Sequence, residues 1–309
     1  SIVATGKAKV ETSGGIIAAN NIQVKNGVYL AQVATNNVRV RELSEQIPKS
    51  FSGRLTGKFN VAGSLDSFAP ESVIVSGKAN LNTAAGRISV PDIEFARGVY
   101  RAKVGVNNID VRQLSPQIPK SFPGKLTGNF DIAGSTKSLE NLTVSGNGFV
   151  NAAGGKISAS DIAVYNGRYQ ASVDANNLLV SQLSPKIPKS FPGRLTGKFK
   201  IAGKLNSFED LTASGSALIN TDSGKITASD ILVNNGKYQA KVAANQIRLR
   251  QFVPQLPEIL AGSLTGKLNI AGSTKSFKDL TASGNAAINA AGGKITASNI
   301  RFNNNNGRY

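Results

Sequence analysis

The sequence has no cysteine, histidine, methionine or tryptophan among its 309 residues. The first two absences remove the usual zinc ligands, the thiol nucleophile and the commonest general base. A lack of cysteine also suits an oxidising compartment, in which stray disulfides would form. We therefore predict a protein that is not an enzyme and that needs no cofactor.

Acidic and aromatic residues are scarce. There are 18 acidic residues against 36 Lys and Arg, a net charge of +18, and aromatics make up 6%. The basic residues are scattered singly, which is typical of a solvated face; attraction to anionic lipid head groups or to nucleic acid is the alternative. Nucleic-acid binding is not expected, because such sites stack bases on aromatic side chains. No apolar run is long enough to span a membrane as a helix.

One motif, which begins Leu-Thr-Gly and ends Ala-Gly, occurs four times, at 55–63, 126–134, 195–203 and 264–272. The glycines in its centre, Gly57, Gly128, Gly197 and Gly266, lie 71, 69 and 69 residues apart. This self-similarity predicts one extended repeat array over 1–309. Its units are approximately 1–70, 71–139, 140–208, 209–277 and 278–309. The outer units are partial and Met is absent, so we expect a segment of a longer chain.

Within a unit, apolar and polar residues alternate with period two, which indicates half-buried strands. In the third unit the predicted strands are 142–152, 156–165, 168–180 and 195–203, with a turn at Gly154-Gly155 and a linker over 204–210. Asn166-Gly167 predicts a hairpin, because both turn positions need positive φ. One-residue slips at 160–161 and 176–177 restore the same face, as β-bulges do. Some 17 or 18 strands follow, and the fold class is all-β: an elongated, curled, continuous antiparallel sheet.

The sequence offers no helix or second layer to cover the apolar face of these strands. The face could curl into an open trough, close into a barrel or solenoid, or bind a partner. Small inward residues such as Ala171, Ala213 and Gly197 favour the trough, and close packing of these residues is the alternative. We predict that the groove and its lipid-binding surface are formed by Val75, Tyr100, Val104, Leu126, Phe130, Ile132, Val144, Ile157, Val164, Val173, Leu195, Phe199, Ile201, Ile219, Ile226, Val242, Leu268 and Ile270.

A proline-containing segment follows the third strand of each unit, at 118–124 and 187–193 and, with changes, at 47–53 and 256–262. Its prolines exclude a central strand. It is either a rigid crossover at one rim of the groove or a lid over the mouth. The rim candidates are Ile118, Phe122, Ile187 and Phe191. The last copy lacks both Lys and Phe, which argues against a chemical role.

Asp92, Asp161 and Asp230 occupy one repeat position and resemble a row of carboxylates. Asn21 and Asn299 take the same position in the outer units. Asp and Asn are interchangeable in a turn or bulge but not in acid catalysis. We therefore predict a structural role for this position, and no metal or catalytic site.

Three recurring patterns together carry a resemblance: Gly-Gly-Lys-Ile-(Ser/Thr)-Ala-Ser-(Asp/Asn)-Ile, Asn-Gly-x-Tyr, and Leu-Thr-Gly-x-Phe-x-Ile-Ala-Gly-Ser. Their concatenation resembles the central repeat region of cyanobacterial TamB-like proteins, which belong to the AsmA-like group and have plastid envelope relatives. The resemblance covers nearly the whole chain. It implies a groove-shaped sheet, anchored to the inner membrane by a segment outside this chain, that reaches towards the outer membrane.

The same resemblance implies that the groove conducts phospholipid between the two membranes, or supports outer-membrane protein assembly with a partner barrel. The expected location is the periplasm of a diderm bacterium or the intermembrane space of a plastid envelope. The expected partners are phospholipid and that assembly barrel, and no nucleic acid. The alternative is a non-catalytic structural or adhesive surface protein.

Overall fold

The computed structural model describes residues 3–12, 14–43, 53–67, 69–84, 86–113, 124–183, 187, 191, 193–205, 207–251, 255–257, 261–274, 279–290 and 292–303. Eighteen strands form one continuous antiparallel sheet, which confirms the all-β prediction. The strands are β1 Val3–Thr12, β2 Gly15–Lys25, β3 Val28–Arg39, β4 Gly53–Ser64, β5 Val73–Thr83, β6 Gly86–Ala96, β7 Val99–Asp110, β8 Gly124–Ser135, β9 Ser138–Ala152, β10 Gly155–Tyr165, β11 Arg168–Leu179, β12 Arg194–Lys204, β13 Ser207–Asn220, β14 Lys225–Asn234, β15 Lys237–Arg248, β16 Ser263–Ser273, β17 Thr281–Ala290 and β18 Gly293–Asn303.

In the part of the chain that the structure describes, helical structure is confined to short segments, most of which follow the third strand of a sequence repeat. These segments are the one-turn α-helix α1, Val40–Leu43, and the 3₁₀ turns Pro70–Ser72, Val111–Gln113, Val180–Gln182 and Leu249–Gln251. Contacts between residues divide the chain into two compact parts, which are distinct from the sequence repeats and are called unit 1 and unit 2. Unit 1 holds β1–β8, β9 to Val150, and β10 from Asp161. Unit 2 holds the other parts of β9 and β10 and all of β11–β18.

The hairpin turns confirm the turn prediction. Asn166 and Gly167 have φ of 48° and 67°, and Asn235 and Gly236 have 48° and 71°. Both turn residues are left-handed, which matches the right-handed twist of the flanking strands. The copy at 306–307 lies outside the described residues.

The predicted slip at 176–177 is a register shift, which lies between Ala175 and Leu178. In the next repeat, the counterpart of the predicted slip at 160–161 is a register shift between Ser229 and Leu232. The register shift between Gly215 and Ala217 is this same bulge seen from β13, because the extra residue again lies in β14, between Ala228 and Ile231.

Several predicted boundaries in the third repeat were wrong. The first strand starts at Ser138 and not at Leu142. The third strand ends at Leu179, and Val180 begins the 3₁₀ turn. The turn between β9 and β10 is centred on Ala153 and Gly154, both with positive φ, and not on Gly154-Gly155. The linker after β12 is shorter than expected, because β13 already starts at Ser207.

Candidate functional site: an uncovered apolar face

In unit 2, antiparallel pairing places apolar residues opposite one another in rows that cross the strands. Directly paired residues share a face of the sheet. One row in unit 2 runs through Leu178, Leu195, Ile219, Ile226 and Ala244. The next runs through Ala175, Gly197, Ala217, Ala228, Val242 and Leu268. These rows form a continuous apolar face across β11–β16, which we call the apolar face.

Unit 1 has the same construction. One row contains Val33, Phe59, Gly77 and Ile93. A second contains Ala31, Val61, Val75, Phe95, Tyr100 and Gly134. Further along, Val104 is paired with Phe130 and Ile109 with Leu126. The tandem repeat in the sequence is therefore a repeat of cross-strand rows. We use the name apolar face for these rows in unit 1 as well.

All eighteen residues predicted to form the groove lie on strands, and all are half-buried. The lysines that alternate with them, such as Lys198 and Lys200 beside Phe199, are exposed. No second sheet or long helix among the described residues packs over the apolar face. Of the rim candidates, Ile187 and Phe191 are half-buried, whereas Ile118 and Phe122 lie outside the described residues.

Aromatic rings lie against glycines on the apolar face. A side chain on Gly197 would meet the ring of Phe199 at 2.8 Å, and one on Gly215 would meet it at 2.9 Å. A side chain on Gly203 would meet the Tyr169 hydroxyl at 2.8 Å. These rings therefore lie along the sheet surface, where they cover backbone that glycine leaves bare. The aromatic residues and the glycines are both evident in the sequence, but the packing of one on the other is not.

Among the described residues, the fully buried apolar side chains lie near one end of the strands, beside the helical segments. The buried apolar residues are Val38, Val40, Ile109, Val111, Ala152, Ala153, Ala175, Leu178, Val180 and Ile247. Val38 is 0% exposed and Leu178 2%. In unit 2 a small cluster of Ala153, Ala175 and Leu178 anchors this end. The apolar face is thus closed at one edge of each repeat and half-exposed over the rest.

The Thr of each Leu-Thr-Gly motif fixes the neighbouring bulge. The Thr196 hydroxyl accepts a hydrogen bond from the Asn177 amide at 3.3 Å, and Asn177 has φ of 58°. The same bond joins Thr56 to Asn37, Thr127 to Asn108 and Thr265 to Gln246. The motif is therefore explained by strand geometry.

The opposite face, which we call the polar face, carries the exposed lysines and several ion pairs, together with exposed apolar side chains such as Leu30, Ile74 and Leu232. Lys241 Nζ lies 2.9 Å from Asp230, and hydrogen bonding to that carboxylate raises the lysine pKa. At a strand end in unit 1, the Arg112 guanidinium donates hydrogen bonds to Asp110 and lowers the pKa of that carboxyl to about 2. Asp161 and Asp230 both have φ of 52°, in keeping with the predicted role at a bulge.

Strands among the described residues form open hollows, and the charged and polar side chains that line these hollows belong to the polar face. Unit 1 has one of about 430 Å³ beside Lys58 and Lys78 and one of about 500 Å³ beside Arg101 and Tyr165. A third, of about 370 Å³, also lies in unit 1. Unit 2 has one of about 690 Å³ beside Lys267. A twisted sheet is saddle-shaped, so either face can be locally concave. The sequence analysis did not predict these hollows.

The described residues contain no group of three or more His, Cys, Asp or Glu that could hold a metal ion. They also include no helix with the length and apolar character needed to cross a membrane. Comparison with models of known families, with curated proteins and with solved structures finds no match to this chain. The resemblance to TamB-like repeats therefore remains a prediction.

Proposed function

We propose that the apolar face hosts the acyl chains of phospholipid and lets them slide from one repeat to the next. The observation that carries this proposal is the set of apolar rows, which continues through successive repeats with no covering layer among the described residues. A continuous apolar surface without a covering layer favours binding of a partner, because soluble monomers rarely expose more than a few hundred Å² of apolar surface in one patch.

Passive sliding follows from the energetics of burial. Each methylene removed from water contributes about 0.8 kcal/mol, whether it enters a bilayer or an apolar protein surface. A lipid that moves between equivalent rows therefore changes little in free energy. The polar head group stays at the solvated edge, and the direction of transport has to come from elsewhere.

The setting of this activity is proposed from the sequence resemblance. The chain would act in the periplasm, or in a plastid intermembrane space, between an inner-membrane anchor and an outer-membrane assembly barrel. Support for outer-membrane protein assembly is a second role under the same proposal. Neither role requires a catalytic group in this chain.

A purely structural role is the second candidate, and the packing of aromatic rings on glycines favours it. Phe199 on Gly197 and Gly215 strengthens the sheet without any ligand. Under this alternative the apolar face would bind no lipid. The chain purified without detergent would then carry no phospholipid in native mass spectrometry.

The test of transport is a pair of substitutions on the apolar face. Phe130→Asp with Phe199→Asp places two carboxylates among the apolar rows, and burying them beside acyl chains is costly. We expect transfer of fluorescent phospholipid between donor and acceptor vesicles to fall at least tenfold. Circular dichroism and urea unfolding report whether the sheet is retained.

Replacing Phe130 and Phe199 also removes the packing of their rings over glycine, which itself weakens the sheet. A second pair of substitutions that keeps both rings is therefore needed. Val104→Asp with Val173→Asp introduces the same charges at the paired positions without removing a ring. The control, Asn129→Asp with Ser216→Asp, adds equal charge on the exposed polar face and should leave transfer unchanged. Normal transfer by a folded Val104→Asp, Val173→Asp protein would refute the proposal.

A further inference from the structure

The hollow in unit 2 is lined mainly by residues of the polar face, and Ala244 and Gly266 of the apolar rows also contribute to its lining. Ala243 forms its floor, with Thr227 opposite on one side and Lys267 on the other, and Asn285 beyond Lys267. The next row adds Lys225 paired with Asn245. The volume is about 690 Å³, and no carboxylate of the described residues lines it. We call this the lysine hollow.

Its two cations are not neutralised by the protein. Lys225 and Lys267 are exposed and take part in no ion pair among the described residues, whereas Lys204 and Lys241 each pair with an aspartate. A concave site lined by one sign of charge concentrates counter-ions. The lysine hollow therefore attracts anions.

The neutral polar groups around the two lysines are available as hydrogen-bond donors. The Thr265 oxygen accepts a hydrogen bond from the Gln246 amide at 3.3 Å, which leaves its O–H proton to donate. The Asn285 carbonyl oxygen accepts from the Asn299 amide at 2.9 Å, which leaves its NH₂ group to donate. With hydroxyls from Thr296 and Ser298, these donors can bind oxygen acceptors of a ligand, while alanines such as Ala243 and Ala287 give the hollow a largely apolar surface for the rest of it.

The preceding repeat provides an internal comparison. There Asp174 occupies the position of Ala243 and is paired directly with Lys198, the counterpart of Lys267. The backbone pairing is the same, but a carboxylate replaces the methyl group of the floor. In the first repeat the floor residue is Ala34 beside Lys58, and a hollow of about 430 Å³ is again present.

We infer that the lysine hollow binds an acidic saccharide, a hydroxyl-bearing ring with a carboxylate, phosphate or sulfate group. A bare oxyanion would leave most of the volume empty, because cavities of 300–1,000 Å³ suit ligands of drug-like size. The lysines contact the anionic group, and Thr265, Thr296 and Asn285 donate to ring and hydroxyl oxygens. This inference does not depend on the lipid proposal.

The test follows the backbone amide signals of Ala243, Gly266 and Ala286 in the full chain by NMR. The probes are a uronic-acid disaccharide, the matching neutral disaccharide and inorganic phosphate, all at low salt. We expect saturable shifts at these amides with the uronic-acid disaccharide, at least tenfold weaker binding of the neutral sugar, and no saturation with phosphate. Phosphate binding as tight as that of the saccharide would overturn the ligand class.

Two variants test the site itself. Ala243→Asp introduces the residue that the preceding repeat already carries at this position, so the sheet should tolerate it and binding should fall at least tenfold. Lys225→Gln with Lys267→Gln should do the same. The matched control is Lys156→Gln with Lys198→Gln, which removes equal charge one repeat earlier and should change binding less than twofold. An equal loss of saccharide binding in the two double lysine variants, or normal saccharide binding by Ala243→Asp, would overturn the inference.

Discussion

At the scale of single residues, one polar side chain differs from the apolar side chains at the same position of the other repeats. Thr35 occupies the apolar-face position that Val106, Ala175 and Ala244 occupy in other repeats. It is 7% exposed, and its hydroxyl has no hydrogen-bond partner. A buried polar group without a partner destabilises the folded state. Thr35 is therefore a weak point of the first repeat.

We predict that Thr35→Val raises the free energy of unfolding by about 1 kcal/mol, because it removes an unsatisfied hydroxyl and keeps the shape. The midpoint of the urea transition measures the change. Thr35→Ser, which keeps the hydroxyl and loses the methyl group, should give no gain. A stability loss in Thr35→Val would show that the hydroxyl is satisfied in solution.

At the scale of strands, the bulge near the end of β3, β7, β11 and β15 depends on a residue in the left-handed region and on a threonine from the next strand. Asn37, Asn108 and Asn177 all have φ between 56° and 58°. Such a backbone costs roughly 1–2 kcal/mol for ordinary L-residues and less for asparagine. The threonine hydroxyl satisfies the amide that the bulge removes from the ladder. Together they keep the apolar row on one face after the register shift.

The corresponding prediction concerns Thr196. Thr196→Val should lower the free energy of unfolding by about 1 kcal/mol, because the Asn177 amide loses its acceptor. Thr196→Ser should retain wild-type stability, since the hydroxyl remains. Urea unfolding of the two variants, with amide hydrogen exchange at Asn177, checks both. Equal stability of Thr196→Val and Thr196→Ser would show that the bond contributes nothing.

The strands also show how much of the fold could be predicted from the sequence. Period-two alternation and Asn-Gly turns predicted the strands and hairpins, because these signals are local. The packing of Phe199 on Gly215 was not predictable in this way, since the two residues meet only through the register of β12 and β13. The lysine hollow was missed for the same reason. Its floor, Ala243, looks unremarkable until its cross-strand neighbours are known.

At the scale of the whole chain, tandem repetition makes each repeat a variant of its neighbours. Positions that recur, such as Thr196 and its counterparts, serve the sheet. Positions that differ, such as Ala243 against Asp174, are where binding can be specific. The apolar rows recur in every repeat, as expected of a surface that treats each stretch of a hydrocarbon chain alike.

The central claim is that phospholipid acyl chains lie on the apolar face, and site-specific photo-crosslinking tests it most directly. A benzophenone amino acid is placed at position 201, where Ile201 lies on the apolar face, or at position 200, where Lys200 is exposed on the other face. Each protein is irradiated with radiolabelled phospholipid vesicles. The account predicts crosslinked lipid from position 201 and little from position 200. Equal crosslinking from both positions, or none from position 201, would contradict it.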